Sequence, residues 1–553
     1  MDLSKQINTR WGTLKQERES WMTHWQELGE YLLPRSGKFL NTNQNDGRKR
    51  HNRIYDSTGT RALRVLAAGM MAGMTSPARP WFRLTTADPE LDESSAVKTW
   101  LADVTRLMQM VFARSNTYRA FHGIYEELGA FGTGASVVVA DFDNVIHHHP
   151  LTVGEYALAT DYKGRVNTLF REFKMTVGQM VAEFGKDNVS AAVRAMYDRN
   201  NVDAWVTVLH AIEPRLERDQ SKRDSLNMPF RSVYLDPADT SGKMLRESGF
   251  REFRALAPRW ACTGGDVYGN SPGMEALGDI KQLQHEQLRK AQAIDFQTNP
   301  PLQMPVSAKG SEVNTLPGGV SYVDTSNPQG GIRSAFEVPL RLDFLLEDIR
   351  DVRERIKGSF YADLFLMLAG SDMGRMTATE VAERHEEKLL MLGPVLERLH
   401  NEFLDPLIEM TFNSMVEAGI LPPAPPEMQG MDLRVEFVSM LAQAQRAVVT
   451  NSVDRFVGNL GTVASFKPDV LDKFDSDRWA DMYADALGID PELIVPGDQV
   501  ALIRQQRAQA QAAARQQAEA AQAASTTRDL AQAGGGGAEG LTNVVDMFSG
   551  YTT

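Results

Sequence analysis

The stretch that decides the fold begins with GMEALGDIKQLQHEQLRKAQAIDF at residues 273–296 and ends with VPLRLDFLLEDIRDVRERIKGSF at residues 338–360. In each segment apolar residues recur at steps of three and four, with charged residues at most other positions, which predicts two amphipathic helices. The recurring apolar residues are Leu277, Ile280, Leu288, Ala291 and Ile294 in the first segment, and Leu342, Leu345, Ile349, Val352 and Ile356 in the second. We therefore expect two long helices, which we call the rods, joined by a small module, with the second rod running back along the first.

The residues between the rods, NPPLQMPVSAKGSEVNTLPGGVSYVDTSNPQGG at 299–331, contain only short apolar runs. Turn signals at Pro317-Gly318-Gly319 and Gly330-Gly331 separate these runs, which predicts a small hairpin module. At about 1.5 Å per residue, each rod would be on the order of 30 Å long and would carry the module away from the rest of the protein.

Two isolated antiparallel helices with so little shared apolar surface would be only marginally stable. Copies from neighbouring subunits could supply the missing packing. The alternative is an ordinary helical hairpin inside one globule, and periodicity alone leaves both interpretations open.

Length and composition describe a folded protein with room for more than one core. The chain has 553 residues, 42% hydrophobic and 24% charged, with a formal charge of −13. This balance argues against affinity for nucleic acid based on a surplus of lysine and arginine. A single cysteine, Cys262, excludes an intrachain disulfide and is expected to be a small core residue. The lack of a signal-peptide pattern predicts assembly in a reducing cytoplasm, and no apolar run is long enough to predict a membrane span.

The first half of the chain predicts an α+β fold, with helices first and a mainly antiparallel sheet region after them. Tryptophans at 11, 21 and 25 mark a docking helix over about 4–33, with Arg18 interrupting its apolar stripe. Further helices are expected after Tyr55 and at about 94–116, 118–132 and 176–185. Strands are expected at 80–84, 136–140, 145–149, 156–160, 166–174, 204–212, 232–235 and 250–256. The basic run from Gly47 to Arg53 is interpreted as a solvated loop, with phosphate contact as the alternative.

The second half predicts mainly helices. A capping-box pattern at Thr377 opens a long helix to about Val416, which Pro394 and Pro406 should kink. A strand is expected at 433–438, and helices over 440–530, the last of them rich in alanine and glutamine. A glycine linker begins at Gly534 and precedes a loosely held tail.

No pattern in the sequence predicts catalysis. None of the Gly-Lys pairs is followed by Ser or Thr, so a phosphate-binding P-loop is absent, and HExxH and CxxC pairs are absent too. The only histidine cluster, His147 to His149, would point its middle member away from the other two if it forms a strand. We therefore predict no catalytic residue, no cofactor and no metal, and a protein that is not an enzyme.

Four blocks of the sequence resemble a known family. They are WQELGEYLLPRSG at 25–37, RIYDSTGTRALRVLAAGMMAGMTSPARPWFRL at 53–84, RWACTGGDVYGNSPGMEALGDIKQL at 259–283 and GRMTATEVAERHEEKLLMLGPVLERL at 374–399. In content, order and spacing they are similar to the portal, or head-to-tail connector, proteins of short-tailed bacteriophages. The likeness runs from about Trp11 to Leu421, and the C-terminal region is less diagnostic.

The resemblance implies a portal-type architecture. Its parts would be a mixed α/β wing at 1–271, two stem helices at 272–297 and 337–360, a small α/β clip at 298–336 and a tunnel loop at 361–376. A long kinked wing helix and a returning strand would occupy 377–439, a helical crown 440–533 and a flexible tail 534–553. The stem and clip coincide with the rods and module expected from periodicity.

The resemblance also implies function and partners. It implies a ring of identical subunits, usually twelve, at one capsid vertex of the virion, through which double-stranded DNA passes without sequence specificity. Terminase, a tail adaptor and capsid or scaffold proteins would dock on it, and no membrane is involved. Candidates to meet DNA in the tunnel loop are Leu366, Met367, Asp372, Met373 and Arg375. Candidates for docking on the clip are Lys309, Glu312, Tyr322, Asp324 and Arg333.

Two other functions remain as alternatives at this stage. One is a nucleic-acid enzyme of the packaging machinery, which the missing P-loop disfavours. The other is a virion adaptor or scaffold that forms no channel, and oligomer size with a central hole would distinguish it.

Overall fold

The computed structural model describes most of the chain. The described residues are 3–39, 47, 52–88, 94–222, 224–304, 306, 333–334, 343–369, 391–428, 433–439, 441, 456–467, 469–470, 474–480, 495 and 497–533. They divide into two compact units, Met1–Asp88 with Trp100–Phe474 and Pro89–Thr99 with Asp475–Thr553. Over these residues no helix is both long enough and apolar enough to cross a bilayer.

Helices dominate the beginning of the chain. They are α1 (Leu3–Tyr31), α2 (Thr58–Met74), α3 (Ser95–Arg114) and α4 (Thr117–Phe131), with strand β1 (Phe82–Thr86) between α2 and α3. Helix α4 ends at Gly132, whose φ of 78° is a left-handed conformation that favours glycine. These bounds agree with the helices expected from periodicity.

Two antiparallel sheets follow. Strands β2 (Ala135–Asp141), β3 (Val145–Leu151) and β9 (Ala255–Leu256) form a three-stranded sheet in the order β3-β2-β9. Strands β4 (Tyr156–Thr160), β5 (Val166–Thr176), β6 (Trp205–Pro214), β7 (Phe230–Leu235) and β8 (Met244–Phe250) form a five-stranded meander in sequence order. All of these strand pairs are antiparallel, which confirms the α+β prediction for this region.

Helix α1 covers one face of the five-stranded sheet. Ile7, Trp11 and Leu14 are buried in one cluster with Phe170 and Leu209. Trp11 stacks on Phe170 with ring centroids 6.3 Å apart, and its indole Nε1 donates to Glu172 Oε2 at 3.0 Å. The predicted docking helix therefore does close a core.

Arg18 interrupts the apolar stripe of α1 in the sequence, and the structure places it on the buried face with the other members of the stripe. The residue is 4% exposed and its Nη1 donates to the carbonyl of Tyr156 in β4. A long side chain can place its aliphatic part against apolar neighbours while its guanidinium reaches a backbone acceptor. Arg18 thus belongs to the buried face.

The other sheet face is covered by two short helices, α5 (Val177–Phe184) and α6 (Ala191–Asp198). Helix α5 begins with a reciprocal capping box between Thr176 and Gln179. Helix α6 was not predicted, and the strand expected at 250–256 lies mostly earlier, as β8 at Met244–Phe250. The sequence of β8, MLRESGF, contains Ser and Gly, which weaken the strand pattern, so the local sequence does not predict this strand. The strand is stabilised by its pairing with β7, which depends on the tertiary fold.

The remaining elements lie after residue 271. They are α7 (Pro272–Thr298), β10 (Leu302–Gln303), β11 (Arg333–Ser334), α8 (Asp343–Ser359), α9 (Ala362–Ala369), α10 (Asp405–Glu417), β12 (Leu433–Phe437) and α11 (Gly497–Ala533). Residues 391–399 are helical and continue through a π-helical turn at His400–Leu404 into α10. Pro406 lies two residues after this turn, and since proline cannot donate to a carbonyl one turn earlier, it explains the irregularity.

The predicted returning strand is present. Strand β12 pairs with β1 in antiparallel register, Phe82 opposite Phe437 and Thr86 opposite Leu433, and Arg83 Nε donates to Glu436 Oε2 at 2.6 Å. In the second compact unit, α11 is a 37-residue helix whose Arg504 makes two hydrogen bonds with Asp477, of 2.5 and 2.7 Å.

Candidate functional site: a helix pair closed at one end

Helix α7 starts at a well-defined cap on the helical layer. The Ser271 hydroxyl donates to the carbonyl of Ala130 in α4 at 2.8 Å and accepts from Met274 N at 2.9 Å. Gly273 lies so close to α4 that a Cβ there would stand 2.8 Å from Leu32 Cδ1 and 2.9 Å from Ala130 O. A side chain at 273 would therefore push the base of α7 away from its support.

Helices α7 and α8, which we call the helix pair, run antiparallel. Asp279 pairs with Arg355 at 3.2 Å, and Asp348 lies beside Glu286. Between these two contacts α7 advances seven residues while α8 goes back seven, which defines an antiparallel register. Ile280 and Leu283 of α7 are buried, as are Ile349, Val352 and Ile356 of α8. The expected apolar stripes do meet here.

A polar node fixes the helix pair to the start of α2. Gln284 Oε1 accepts from the backbone N–H groups of Tyr55 and Asp56, at 2.6 and 2.8 Å, and its Nε2 donates to Asp56 O at 3.0 Å. Arg353 of α8 donates to Asp56 Oδ2 through Nε at 3.1 Å and Nη2 at 2.6 Å. Gln287 Nε2 donates to the same oxygen at 3.1 Å.

Asp56 is held as a carboxylate in this node. Its Oδ1 accepts from Thr58 N at 2.8 Å and from Thr58 Oγ1 at 2.6 Å. Burial raises the pKa of Asp56, but the hydrogen bonds from Thr58 and Arg353 outweigh burial and leave that pKa below its ordinary value. A buried, ionised and fully bonded carboxylate therefore joins three helices at one point.

The helix pair is packed against the rest of the chain along only part of its length. We call residues 272–286 and 349–359 the inner half of the pair, and residues 287–298 and 343–348 the outer half. No residue of the outer half is buried against the described part of the chain. Large apolar side chains are exposed there: Ile294 39%, Phe296 61%, Phe344 71% and Leu346 42%. Leu302 and Met304, just beyond α7, are 43% and 47% exposed.

The tunnel-loop candidates fall at the edge of the described residues. Leu366 lies on α9 with 54% of its surface exposed, and Met367 lies on the same helix. Asp372, Met373 and Arg375 lie outside the described residues. The first part of the segment expected as a loop is helical, because Leu364 and Phe365 are buried, with Phe365 packed on Gly69 of α2.

The clip candidates are likewise only partly located. Arg333 lies in β11, where it pairs with Gln303 of β10 in antiparallel register. This pairing agrees with a hairpin-like module between the two rods. Lys309, Glu312, Tyr322 and Asp324 lie outside the described residues.

The histidine cluster has the geometry expected of a strand. His148 is buried and points away from its neighbours, while the rings of His147 and His149 meet at 4.9 Å. Burial lowers the pKa of His148 to about 3, so it is neutral at physiological pH. Cys262 is half-buried rather than a core residue, and burial raises the pKa of its thiol.

Sequence reasoning missed the residues that organise the helix pair. Asp56 and Ser57 before α2 form an ordinary helix-start signal, and that signal alone could have indicated Asp56. Gln284 and Glu286 resemble solvent-facing residues of an amphipathic helix, yet they are 5% and 8% exposed. Their roles depend on partners far away in the sequence.

Comparison with known proteins gives a consistent set of matches. The family model described as bacteriophage head to tail connecting protein matches residues 4–495. The chain is 69% identical over 548 residues to the probable portal protein of Bordetella phage BPP-1, covering 99% of each chain. It is 47% identical over 502 residues to the portal protein of Salmonella phage epsilon15, covering 90% of each chain.

Solved structures also match, at low sequence identity. The neck of an empty GTA particle, computed with C6 symmetry, matches with a TM-score of 0.39 at 12% identity, covering 80% of this chain and 95% of that one. The neck of a native GTA particle, computed with C12 symmetry, matches with a TM-score of 0.32 at 12% identity, covering 73% and 86%.

Proposed function

The chain belongs to the family of bacteriophage head to tail connecting proteins, and from this premise we propose that it serves as the portal of its virion. Copies of the chain close into a ring at one capsid vertex, and double-stranded DNA enters and leaves through the centre. The connector role rests on the family match over residues 4–495 and on two relatives named as portal proteins, at 69% and 47% identity.

The observation that carries ring formation is the uncovered outer half of the helix pair. Phe296 and Phe344 are 61% and 71% exposed on helices whose inner half is packed. Large apolar side chains left exposed together in one part of a fold indicate an interaction site, and packing against a sister copy would cover them. In the portal architecture this pair is the stem, and twelve copies is the number that the family resemblance implies.

The charge of the chain suits a conduit for DNA. Strong phosphate binding along the wall would hold a polyanion that must move in both directions, and the formal charge of −13 makes overall attraction weak. The tunnel-loop candidates for contact with DNA are Leu366, Met367, Asp372, Met373 and Arg375. Arg375→Ala should leave the ring intact and change DNA retention or packaging.

Two parts of the chain provide docking surfaces in this proposal. The clip, with Lys309, Glu312, Tyr322, Asp324 and Arg333 as candidates, contacts the packaging motor and later a tail adaptor. Helix α11, which is exposed along 501–526, contributes to a crown with its small side chains. The protein works as a channel and platform and has no catalytic step of its own.

Two measurements on purified protein test this proposal. Analytical ultracentrifugation should give the mass of a closed oligomer, and negative-stain images should show rings with a central hole. A protein that sediments only as a monomer would contradict ring formation. ATP hydrolysis by the purified chain would contradict the non-enzymatic role.

A further inference from the structure

One carboxylate at the boundary between the two halves of the helix pair has an oxygen that accepts no hydrogen bond from the described residues. Glu286 is 8% exposed, and its Oε1 accepts from Gln282 Nε2 at 2.6 Å. Its Oε2 is buried and has no hydrogen-bond partner among the described residues. Buried carboxylate oxygens in folded proteins almost always accept a hydrogen bond, so this oxygen indicates a missing donor.

The group beside Glu286 makes the need for a donor greater. Asp348 of α8 stands next to it, and Asp348 is exposed. Burial raises the pKa of Glu286, and so does the Asp348 carboxyl, which lies within hydrogen-bonding reach of it. When both groups are ionised, neither has a proton to donate to the other. Arg355, whose charge acts on Glu286, is already paired with Asp279 at 3.2 Å and with Asp351 at 3.1 Å. Within the described residues, neither Glu286 nor Asp348 forms an ion pair.

Charges on α8 differ between the two sides of its buried stripe. At about 100° per residue, Asp348 and Asp351 lie on one side, with Arg355 between them and paired with Asp279 and Asp351, and a basic set lies on the other side. We call the first set the acidic flank: Asp348 and Asp351. We call the other set the basic flank: Arg350, Arg353 and Lys357. In a ring, each subunit presents one flank to the copy on its left and the other to the copy on its right.

One member of the basic flank is placed to reach the carboxyl pair. Arg353 is occupied by Asp56, and Lys357 lies about 10 Å further along the helix from Arg350. Arg350 is exposed and has no carboxylate partner within the described ranges. Rotation about a ring axis keeps equivalent residues at the same height, so Arg350 of one copy lies only about 3 Å in height from Asp348 of the next.

We propose that Arg350 of each subunit inserts between Glu286 and Asp348 of the neighbouring copy and supplies the missing donor. The contact is heterologous, basic flank to acidic flank, which generates a closed ring and not a two-fold dimer. The guanidinium can bind both carboxylates at once through its planar set of donors. This inference rests on the proposed ring and adds the side chains that orient one copy against the next.

The test compares charge variants of the full-length protein. Arg350→Asp should raise the protein concentration needed for half-maximal ring formation by about tenfold or more, since it places a third carboxylate beside the pair. The double variant Asp348→Arg/Arg350→Asp exchanges the two flanks and should restore assembly. Arg199→Asp makes the same charge change at an exposed residue of the sheet region and should leave assembly unchanged.

A second variant distinguishes this proposal from an alternative in which Glu286 and Asp348 of one subunit share a proton. Glu286→Gln should weaken rings and make them dissociate at lower salt, because the neighbour's arginine loses a charged partner. If Glu286→Gln rings resist salt as well as the parent rings or better, the proposal is overturned. It is also overturned if Arg350→Asp assembles like Arg199→Asp. If the parent protein forms no ring, the proposed function itself fails.

Discussion

Phe170 in the five-stranded sheet and Phe344 in the helix pair are both phenylalanines, but their environments are opposite. Phe170 is completely buried and stacks on Trp11 of α1, whereas Phe344 is 71% exposed on α8. The sheet region closes its core with elements of its own chain. The helix pair closes only its inner half. The difference separates surface needed for folding from surface left for assembly, and each prediction below tests that separation.

The largest effect is expected in the sheet. Phe170→Ala should lower the free energy of unfolding of the separated chain by about 3–5 kcal/mol, because it leaves a cavity beside Trp11. Urea denaturation followed by tryptophan fluorescence measures it. Phe142→Ala, at a fully exposed turn position, is the control and should stay within about 0.5 kcal/mol of the parent. Equal effects of the two variants would contradict the assigned core.

The next effect is expected at the polar node. Asp56→Asn should lower the free energy of unfolding by about 2 kcal/mol, because an amide nitrogen or a neutral oxygen would replace the carboxylate that accepts from Arg353. Asp351→Asn removes a partly exposed ion pair with Arg355 and should cost less than about 0.5 kcal/mol.

The effect of Asp56→Asn should also depend on pH in a defined direction. Because the pKa of Asp56 is lowered in the folded state, its stabilisation is complete above about pH 4 and is lost as pH falls through the lowered pKa. The difference in unfolding free energy between parent and variant should therefore shrink in acid. A difference that grows as pH falls would mean that Asp56 is not held as a carboxylate.

A pH dependence of opposite sign is expected at Glu127 of α4. This carboxyl is buried and accepts from Thr152 Oγ1 at 2.7 Å and Val153 N at 3.2 Å. Burial raises the pKa of Glu127 to about 8. A raised pKa means that the folded state binds the proton more tightly, so the stabilisation is full below about pH 4.5 and is lost as pH rises towards 8.

Glu127→Gln tests this expectation. Between pH 5 and 8 the unfolding free energy of the parent should fall more steeply than that of the variant, by on the order of 1 kcal/mol per pH unit. Glu126→Gln changes a more exposed neighbour and should keep the parent's slope. Identical slopes for the parent and Glu127→Gln would show that Glu127 is ionised throughout this range.

The smallest effect on folding is expected in the outer half of the helix pair. Phe344→Ala should change the unfolding free energy of the separated chain by less than about 0.5 kcal/mol, because its side chain is already in solvent. The same variant should reduce ring formation measured by sedimentation. Loss of folding stability comparable to that of Phe170→Ala would place Phe344 in a core and remove the distinction between the two regions.

The parts of the fold that depend on local pattern could be predicted from the sequence. The stripe containing Trp11 and Trp25 predicts α1, and the two rods are present as α7 and α8. Alternation of side chains predicts that His148 turns away from His147 and His149, as found. These features depend on residues within a few turns of one another.

What could not be predicted depends on distant partners. The pairing of β1 with β12 joins residues about 350 positions apart, and Arg18 is buried only because Tyr156 offers a carbonyl. Asp56 becomes a structural centre only when Gln284 and Arg353 reach it. The missing donor at Glu286 becomes visible only when α7 and α8 are placed side by side.

The most direct measurement of the central claim is a cryo-electron microscopy structure of the purified, assembled protein viewed along its axis. We predict rotational symmetry around a central hole, with Phe296 and Phe344 of each copy covered by the next copy. A compact monomer, or a ring in which both side chains still face solvent, would contradict the account.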